Sequence, residues 1–297
     1  MNDLFQNPLC RPFDFPGSSQ HGVLLVHGFT ATPGTMLPLG KALAQCGFRV
    51  KGILLPGHGT NAEDMELRRW PEWLAAVQAG FDQLVSECGR VSVAGLSMGG
   101  TLALLLAQTR PVYRAAVLCA ALRVRNRASR AARILWPVMR YHTQAPFSYD
   151  GEFLAQYNAC YDRTPVRSVA ELNALMRHTL HGLKGVRCPL LVVRAGQDET
   201  VLPVSAEIIM NRAASTHKRL LTLLNSPHVC TLGPERERLF AEIAHFLAVP
   251  ETSTHMNKIR GCPKSHKMTK GIPSFFRNSE FFQNRKGMPL SYESKDS

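Results

Sequence analysis

Short runs of apolar, largely β-branched residues, spaced between stretches of helical period, constrain this chain more than any other feature. Val23-Leu24-Leu25-Val26 is the clearest. Phe48 to Leu55, Arg90 to Ala94, Ala115 to Ala120 and Leu190 to Val193 repeat it, and Arg219 to Leu224 reads as a sixth. Continuous rather than alternating hydrophobicity is the mark of a strand buried on both faces. Between these runs lie helical stripes. Pro71 stands at a helix start, and Trp73, Leu74, Val77, Phe81, Leu84 and Val85 follow at spacings of three and four. Similar stripes run through Leu102 to Leu106, Val204 to Ile209 and Leu239 to Leu247. Strand and helix in alternation imply right-handed crossovers and a mostly parallel, doubly wound α/β sheet. The rhythm lapses once, between about Leu122 and Gly185. We therefore expect a core of residues 1–121 and 186–249, with 122–185 inserted as a helical cap.

The 297 residues suit one large domain, and 45% apolar content is globular usage. The longest apolar run, Ala115 to Leu122, falls short of the roughly 18 residues that a bilayer requires. The start of the chain lacks a charged segment followed by an apolar one. A soluble, cytoplasmic protein is expected. Eight cysteines are scattered without a CxxC pair, which predicts neither a zinc site nor a disulfide framework. Most are expected to be buried small hydrophobes, and no metal or cofactor is expected.

The net charge of +13 raises the question of an anionic partner. Its distribution answers much of it. From Pro250 on there are nine basic and four acidic residues, with lysine replacing the arginine that dominates the body. Without helical or strand period, residues 250–297 read as a basic, disordered tail that the fold does not need.

Arg90 to Ala94 runs into Gly95-Leu96-Ser97-Met98-Gly99-Gly100, a G-x-S-x-G turn between a strand and a helix. This is the setting the motif requires. The serine must occupy a sharp turn so that Oγ protrudes, and the flanking glycines let strand and helix approach. The alternative is an ordinary Gly-Ser turn, which the strand-turn-helix context disfavours. A nucleophilic serine needs a base, and the base an orienting carboxylate. Asp198 lies just beyond the Leu190 to Val193 run, and His228 follows the next one. Glu199 is the nearest rival acid; His217 and His245 are worse placed. The amide of Met98, opening the helix, and that of Phe29, in the His27-Gly28-Phe29-Thr30 loop after the first run, are expected to hold an oxyanion. His27 is expected to be structural. His58, in Pro56-Gly57-His58-Gly59-Thr60, is a turn residue first and a substrate neighbour second.

Together His27-Gly28-Phe29-Thr30-Ala31-Thr32-Pro33, Gly57-His58-Gly59-Thr60, Glu63-Asp64-Met65, Gly95 to Thr101 and the Asp198 and His228 loops resemble the bacterial monoacylglycerol lipase and small carboxylesterase group of α/β-hydrolases. The resemblance spans about residues 20 to 248, and Tyr161-Asp162-Arg163-Thr164-Pro165 extends it into the cap. It implies Ser97 as nucleophile, His228 as base, Asp198 as orienter, and Phe29 and Met98 as oxyanion donors. It also implies a cap residue that holds glycerol. Where monoglyceride-selective members use a carboxylate, this chain has Asn158, with Glu152 and Asp162 the nearest acids.

Arg123, Arg125, Arg127, Arg130, Arg133 and Arg140 share a cap segment without an acidic residue. This is a solvated face or a weak attraction to an anionic membrane surface. Ile134, Leu135, Trp136, Val138 and Met139 in the same segment are expected mainly to pack the cap on the core. The expected activity is cofactor-independent hydrolysis of monoacylglycerols or other short- to medium-chain esters. Acyl transfer to another alcohol and a non-catalytic binding module are the rivals. No nucleic-acid partner is expected, since no aromatics interleave the arginines.

Overall fold

A computed structural model describes residues 6–143, 156–157 and 159–249. The chain divides between Val249 and Pro250. The expected tail, Asn158 and Glu152 all lie outside the described residues.

The apolar runs form β2 (His21–Val26), β3 (Arg49–Ile53), β4 (Arg90–Leu96), β5 (Ala115–Leu118), β8 (Leu190–Gln197) and β9 (Lys218–Pro227). They lie parallel in the order β3-β2-β4-β5-β8-β9. Why their hydrophobicity is continuous is visible in the two cores. Leu24 and Val26 of β2, Val91 and Val93 of β4, and Leu190 and Val192 of β8 face one layer of helices. Val23 and Leu25, Ala94 and Leu96, and Leu191 and Val193 face the other. The first layer holds α3 (Trp70–Glu87), α4 (Met98–Thr109) and α7 (Val204–Arg212); the second holds α1 (Leu37–Gln45) and α8 (Arg236–Ala248). Trp73 and Phe81 are the largest wholly buried side chains. Burial of each contributes about 2–3 kcal/mol, and the Trp73 indole N–H donates to Pro56 O at 3.1 Å. The doubly wound α/β sheet is the expected one.

Several elements depart from expectation. Strand β1 (Phe13–Phe15) adds an antiparallel edge to β3. Its Phe13 ring crosses Gly52, where a Cβ would stand 2.3 Å from ring carbons. Helix α2 (Ala62–Leu67) follows β3, with the Asn61 side chain accepting from Asp64 N–H at 2.8 Å. The inserted region is not wholly helical. It contains α5 (Ala132–Leu135) and α6 (Val166–His181), but also an antiparallel ribbon of β6 (Tyr141–Thr143) and β7 (Arg163–Pro165).

Packing of the cap apolar segment on the core was the expectation, and the structure corrects it. Ile134 is 79% exposed and Val138 85%, with Trp136 and Met139 also exposed. The Pro137 that follows α5 limits its length, so the segment has no long amphipathic face to bury. Among the described residues no helix is long and apolar enough to cross a membrane.

Candidate active site

Ser97 sits at the turn from β4 to α4 with φ 57° and ψ −116°. A left-handed serine is strained by about 1–3 kcal/mol and persists only where its surroundings fix it. Here its N–H donates to Leu118 O at 2.8 Å, while its C=O accepts from Thr101 N–H at 3.1 Å and Ala121 N–H at 3.2 Å. Thr101 Oγ1 adds a bond to Ala121 O at 2.8 Å. The glycines of the motif are sterically required. A Cβ on Gly95 would lie 2.2 Å from Gly99 O, and one on Gly99 would lie 2.2 Å from Val26 O.

His228 stands between Ser97 and Asp198. Its Nε2 is 2.9 Å from Ser97 Oγ and its Nδ1 is 2.9 Å from Asp198 Oδ2. An ionised carboxylate only accepts, so Nδ1 carries the proton and Nε2 is left to accept from the Ser97 hydroxyl. All three residues are buried. Burial alone would raise the Asp198 carboxyl. The hydrogen bond and charge of His228, with Thr200 and Val201 N–H on Oδ1 at 2.9 and 2.7 Å, outweigh it and hold the group below its ordinary value.

Gly28, Phe29 and Thr30 line, with Ser97 and His228, a cavity of about 100 Å³. Leu96, Ala121, Val124, Leu172 and Val229 give it an apolar wall. Met98 is the first residue of α4, so its N–H has no acceptor within the helix. His27 ties the Gly28 loop to the end of β3. Its Nε2 accepts from Leu55 N–H at 3.1 Å, and Nδ1–H donates to Gly28 O at 2.8 Å. His58, named as a substrate neighbour, is not among the residues that line this cavity. It is buried behind Phe29 and Trp73, with Nδ1 3.1 Å from Pro56 O. The acid that meets His228 is Asp198 and not the rival Glu199.

Two neighbours of the Asp198 loop have no signal in the sequence. Arg125 Nε donates to Asp198 O at 2.8 Å, and Arg125 N–H to Thr200 O at 2.9 Å, so the start of the inserted region clamps the acid loop. Cys119 brings a thiol beside the pair: one ligand atom from each of Cys119, Asp198 and His228 lies within 4.8 Å of the others. In the cap, Tyr161 O–H donates to Gly57 O at 2.7 Å and accepts from Thr60 N–H at 3.1 Å, anchoring the resembling segment on the β3 loop.

A parallel sheet with a strained serine at the end of its central strand, and with the acid and histidine after later strands, defines an α/β-hydrolase. A family model described as serine aminopeptidase, S33, matches residues 17–231, and the chain belongs to that family. The thermostable monoacylglycerol lipase of Bacillus sp. (strain H-257) is 36% identical over 232 residues, 76% of this chain and 90% of that one. The carboxylesterase of Bacillus subtilis (strain 168) is 28% identical over 242 residues, 80% of this chain and 96% of that one. A solved structure of the metagenome-derived lipolytic enzymes LipS and LipT superposes with a TM-score of 0.76 at 30% identity, covering 81% of this chain and 98% of that one. The chain is thus a serine hydrolase of the lipase and esterase group.

Proposed function

We propose that Ser97, His228 and Asp198 form a catalytic triad that hydrolyses monoacylglycerols or other short- to medium-chain carboxylic esters. The observation that carries this reading is the single imidazole hydrogen-bonded at 2.9 Å to both Ser97 Oγ and Asp198 Oδ2. Ser97 Oγ attacks the ester carbonyl as Nε2 takes its proton. The Phe29 and Met98 N–H groups hold the oxyanion, and Nε2–H then protonates the leaving alcohol. Water enters by the same base and releases the acid. Asp198 stays ionised and fixes the tautomer, in keeping with its lowered pKa.

An ester rather than an aminopeptidase substrate is favoured by the cavity. Among the described residues that line it none carries a carboxylate to meet an α-ammonium group, whereas the apolar wall suits an acyl chain. The names of the two Bacillus relatives point the same way. We place the cap's exposed Ile134, Trp136, Val138 and Met139, beside exposed Arg127, Arg130 and Arg133, as a weak contact for an anionic lipid surface. The protein is read as acting in the cytoplasm.

The test is hydrolysis of 1-monoacylglycerols, matched alkyl esters and aminoacyl amides across acyl lengths, with Ser97→Ala as control. Ser97-dependent cleavage of esters is expected. Preference for monoacylglycerol would assign glycerol recognition to the cap, equal ester rates a general carboxylesterase. Cleavage confined to amides would overturn the reading.

A further inference from the structure

Cys119, just after β5, and Cys230, two residues beyond His228, are 111 positions apart in the chain. The fold buries both with their Sγ atoms 3.9 Å apart. Cys119 also faces the Asp198–His228 pair, and this is the one group of three His, Cys, Asp or Glu ligand atoms so close together among the described residues. Thiol, carboxylate and imidazole are the donors that bind zinc.

We propose that Cys119, Asp198 and His228 form an inhibitory site for a soft divalent cation, Zn²⁺ or its analogue Cd²⁺. Only its consequence for activity rests on the triad reading; the binding does not. With Zn–S near 2.3 Å and Zn–N or Zn–O near 2.0 Å, tetrahedral ligand atoms stand roughly 3.3 to 3.6 Å apart. To reach this the Cys119 thiol moves in by up to about an ångström, while His228 Nδ1 and Asp198 Oδ2, 2.9 Å apart, open by roughly a few tenths of an ångström. The fourth position is left to water. Cys230 donates its S–H to the Cys119 thiolate, as second partners of metal ligands do.

Protons and charge balance. Cys119 releases one proton to solvent. His228 keeps its single proton but moves it: the metal takes the Nδ1 lone pair that the Nδ1–H bond occupied, and the proton passes to Nε2. One thiolate, one carboxylate and one dication leave the buried site without net charge, which is what burial requires. Nε2–H then donates to Ser97 Oγ and has no lone pair to accept its proton. The metal has also taken the carboxylate, so the bound form is inactive.

The test is titration of the reduced full chain with Cd²⁺, followed by thiolate-to-metal charge-transfer absorption and by ester hydrolysis in the same samples. One Cd²⁺ per chain is expected, with activity lost in step with the band and restored by EDTA. Cys119→Ala should retain the parent's activity but lose both band and inhibition; Cys119→Ser serves the same purpose if the alanine variant folds poorly. Cys230→Ala should weaken binding by about 10- to 100-fold. Ser97→Ala, inactive, should still give the band at the parent's affinity. A band that survives in both Cys119 variants, or that disappears with the exposed Cys46 changed to Ala, overturns the proposal. So does a loaded protein that hydrolyses esters at the parent rate. A Cys119-dependent band in a chain with no hydrolysis at all would leave the site standing and remove the triad reading instead.

Discussion

At Asp198 three groups oppose one cost. Desolvation favours the neutral acid, whereas His228 and the Thr200 and Val201 amides favour the carboxylate, and the balance lies with the carboxylate. Asp198→Asn removes the acceptor that selects the Nδ1–H tautomer without removing the side chain's volume. Turnover should fall about 10⁴-fold, and Ser97→Ala should cost about 10⁶-fold if the three residues act as a unit. Steady-state kcat on a simple ester reads both. A residual rate within about tenfold of the parent for either variant contradicts the assignment, given the 10³-fold or greater losses that such changes bring elsewhere. These residues were legible because chemistry limits the choices: few serines follow a strand and open a helix between glycines. Arg125 was not legible. Its bond to Asp198 O spans 73 positions, and a basic residue in a basic segment carries no local sign of it.

Among the elements, the β2–β4–α4 junction carries the steric demands. Gly99 lets α4 cross β2 at van der Waals distance, and a Cβ there meets Val26 O and His27 O, both backbone atoms that cannot turn aside. Gly99→Ala should therefore destabilise the fold by about 3 kcal/mol, the upper part of the usual range for overpacking, and disorder the turn that holds Ser97. Gly28→Ala is the contrast. Its Cβ would lie 3.4 Å from Ser97 Cβ and 4.0 Å from Ser97 Oγ, an ordinary contact for the fold but a crowded one for the proposed nucleophile. The urea midpoint should stay near the parent's while turnover drops. Equal stability losses for the two variants would show that the junction is looser than its geometry implies. The strands of the parallel sheet were readable because burial on both faces writes a continuous apolar run. The edge strand β1 and the β6–β7 ribbon were not. Each has three residues, too few for a period to register, and their pairing partners lie 20 or more positions away.

For the whole molecule, acid stability follows from histidines held neutral. His27 is wholly buried, and burial, with the nearby His58, lowers it to about 3. Burial likewise lowers His58 to about 4, although bonds to Pro56 and Leu55 backbone oppose the shift. His21, buried against Ser92 Oγ at 2.8 Å, is lowered to about 4 by burial and by Arg90 and Arg114. An unfolded histidine titrates near 6.5. Below that value the unfolded chain binds protons that the folded one refuses, so stability falls as pH falls. The contribution is complete above about pH 6.5 and is lost down to about pH 4 for His21 and His58 and about pH 3 for His27. Each such histidine changes the unfolding free energy by about 1.4 kcal/mol per pH unit in this window. At pH 5 His27 and His58 together should therefore cost about 4 kcal/mol relative to neutral pH, a large share of the 5–15 kcal/mol typical of a domain. The carboxylates held low, Asp14 and Asp198, act in the opposite range, losing their contribution only as pH drops below the ordinary carboxylate value. Urea unfolding between pH 7.5 and 4.5 should accordingly show a slope approaching three protons. His58→Asn keeps a donor for Pro56 O and removes Nε2, a buried atom without a hydrogen-bond partner. It should lower the slope by about one proton and raise stability at pH 5 relative to the parent. A slope unchanged by this substitution would mean that His58 already binds its proton in the folded chain, against the burial that surrounds it.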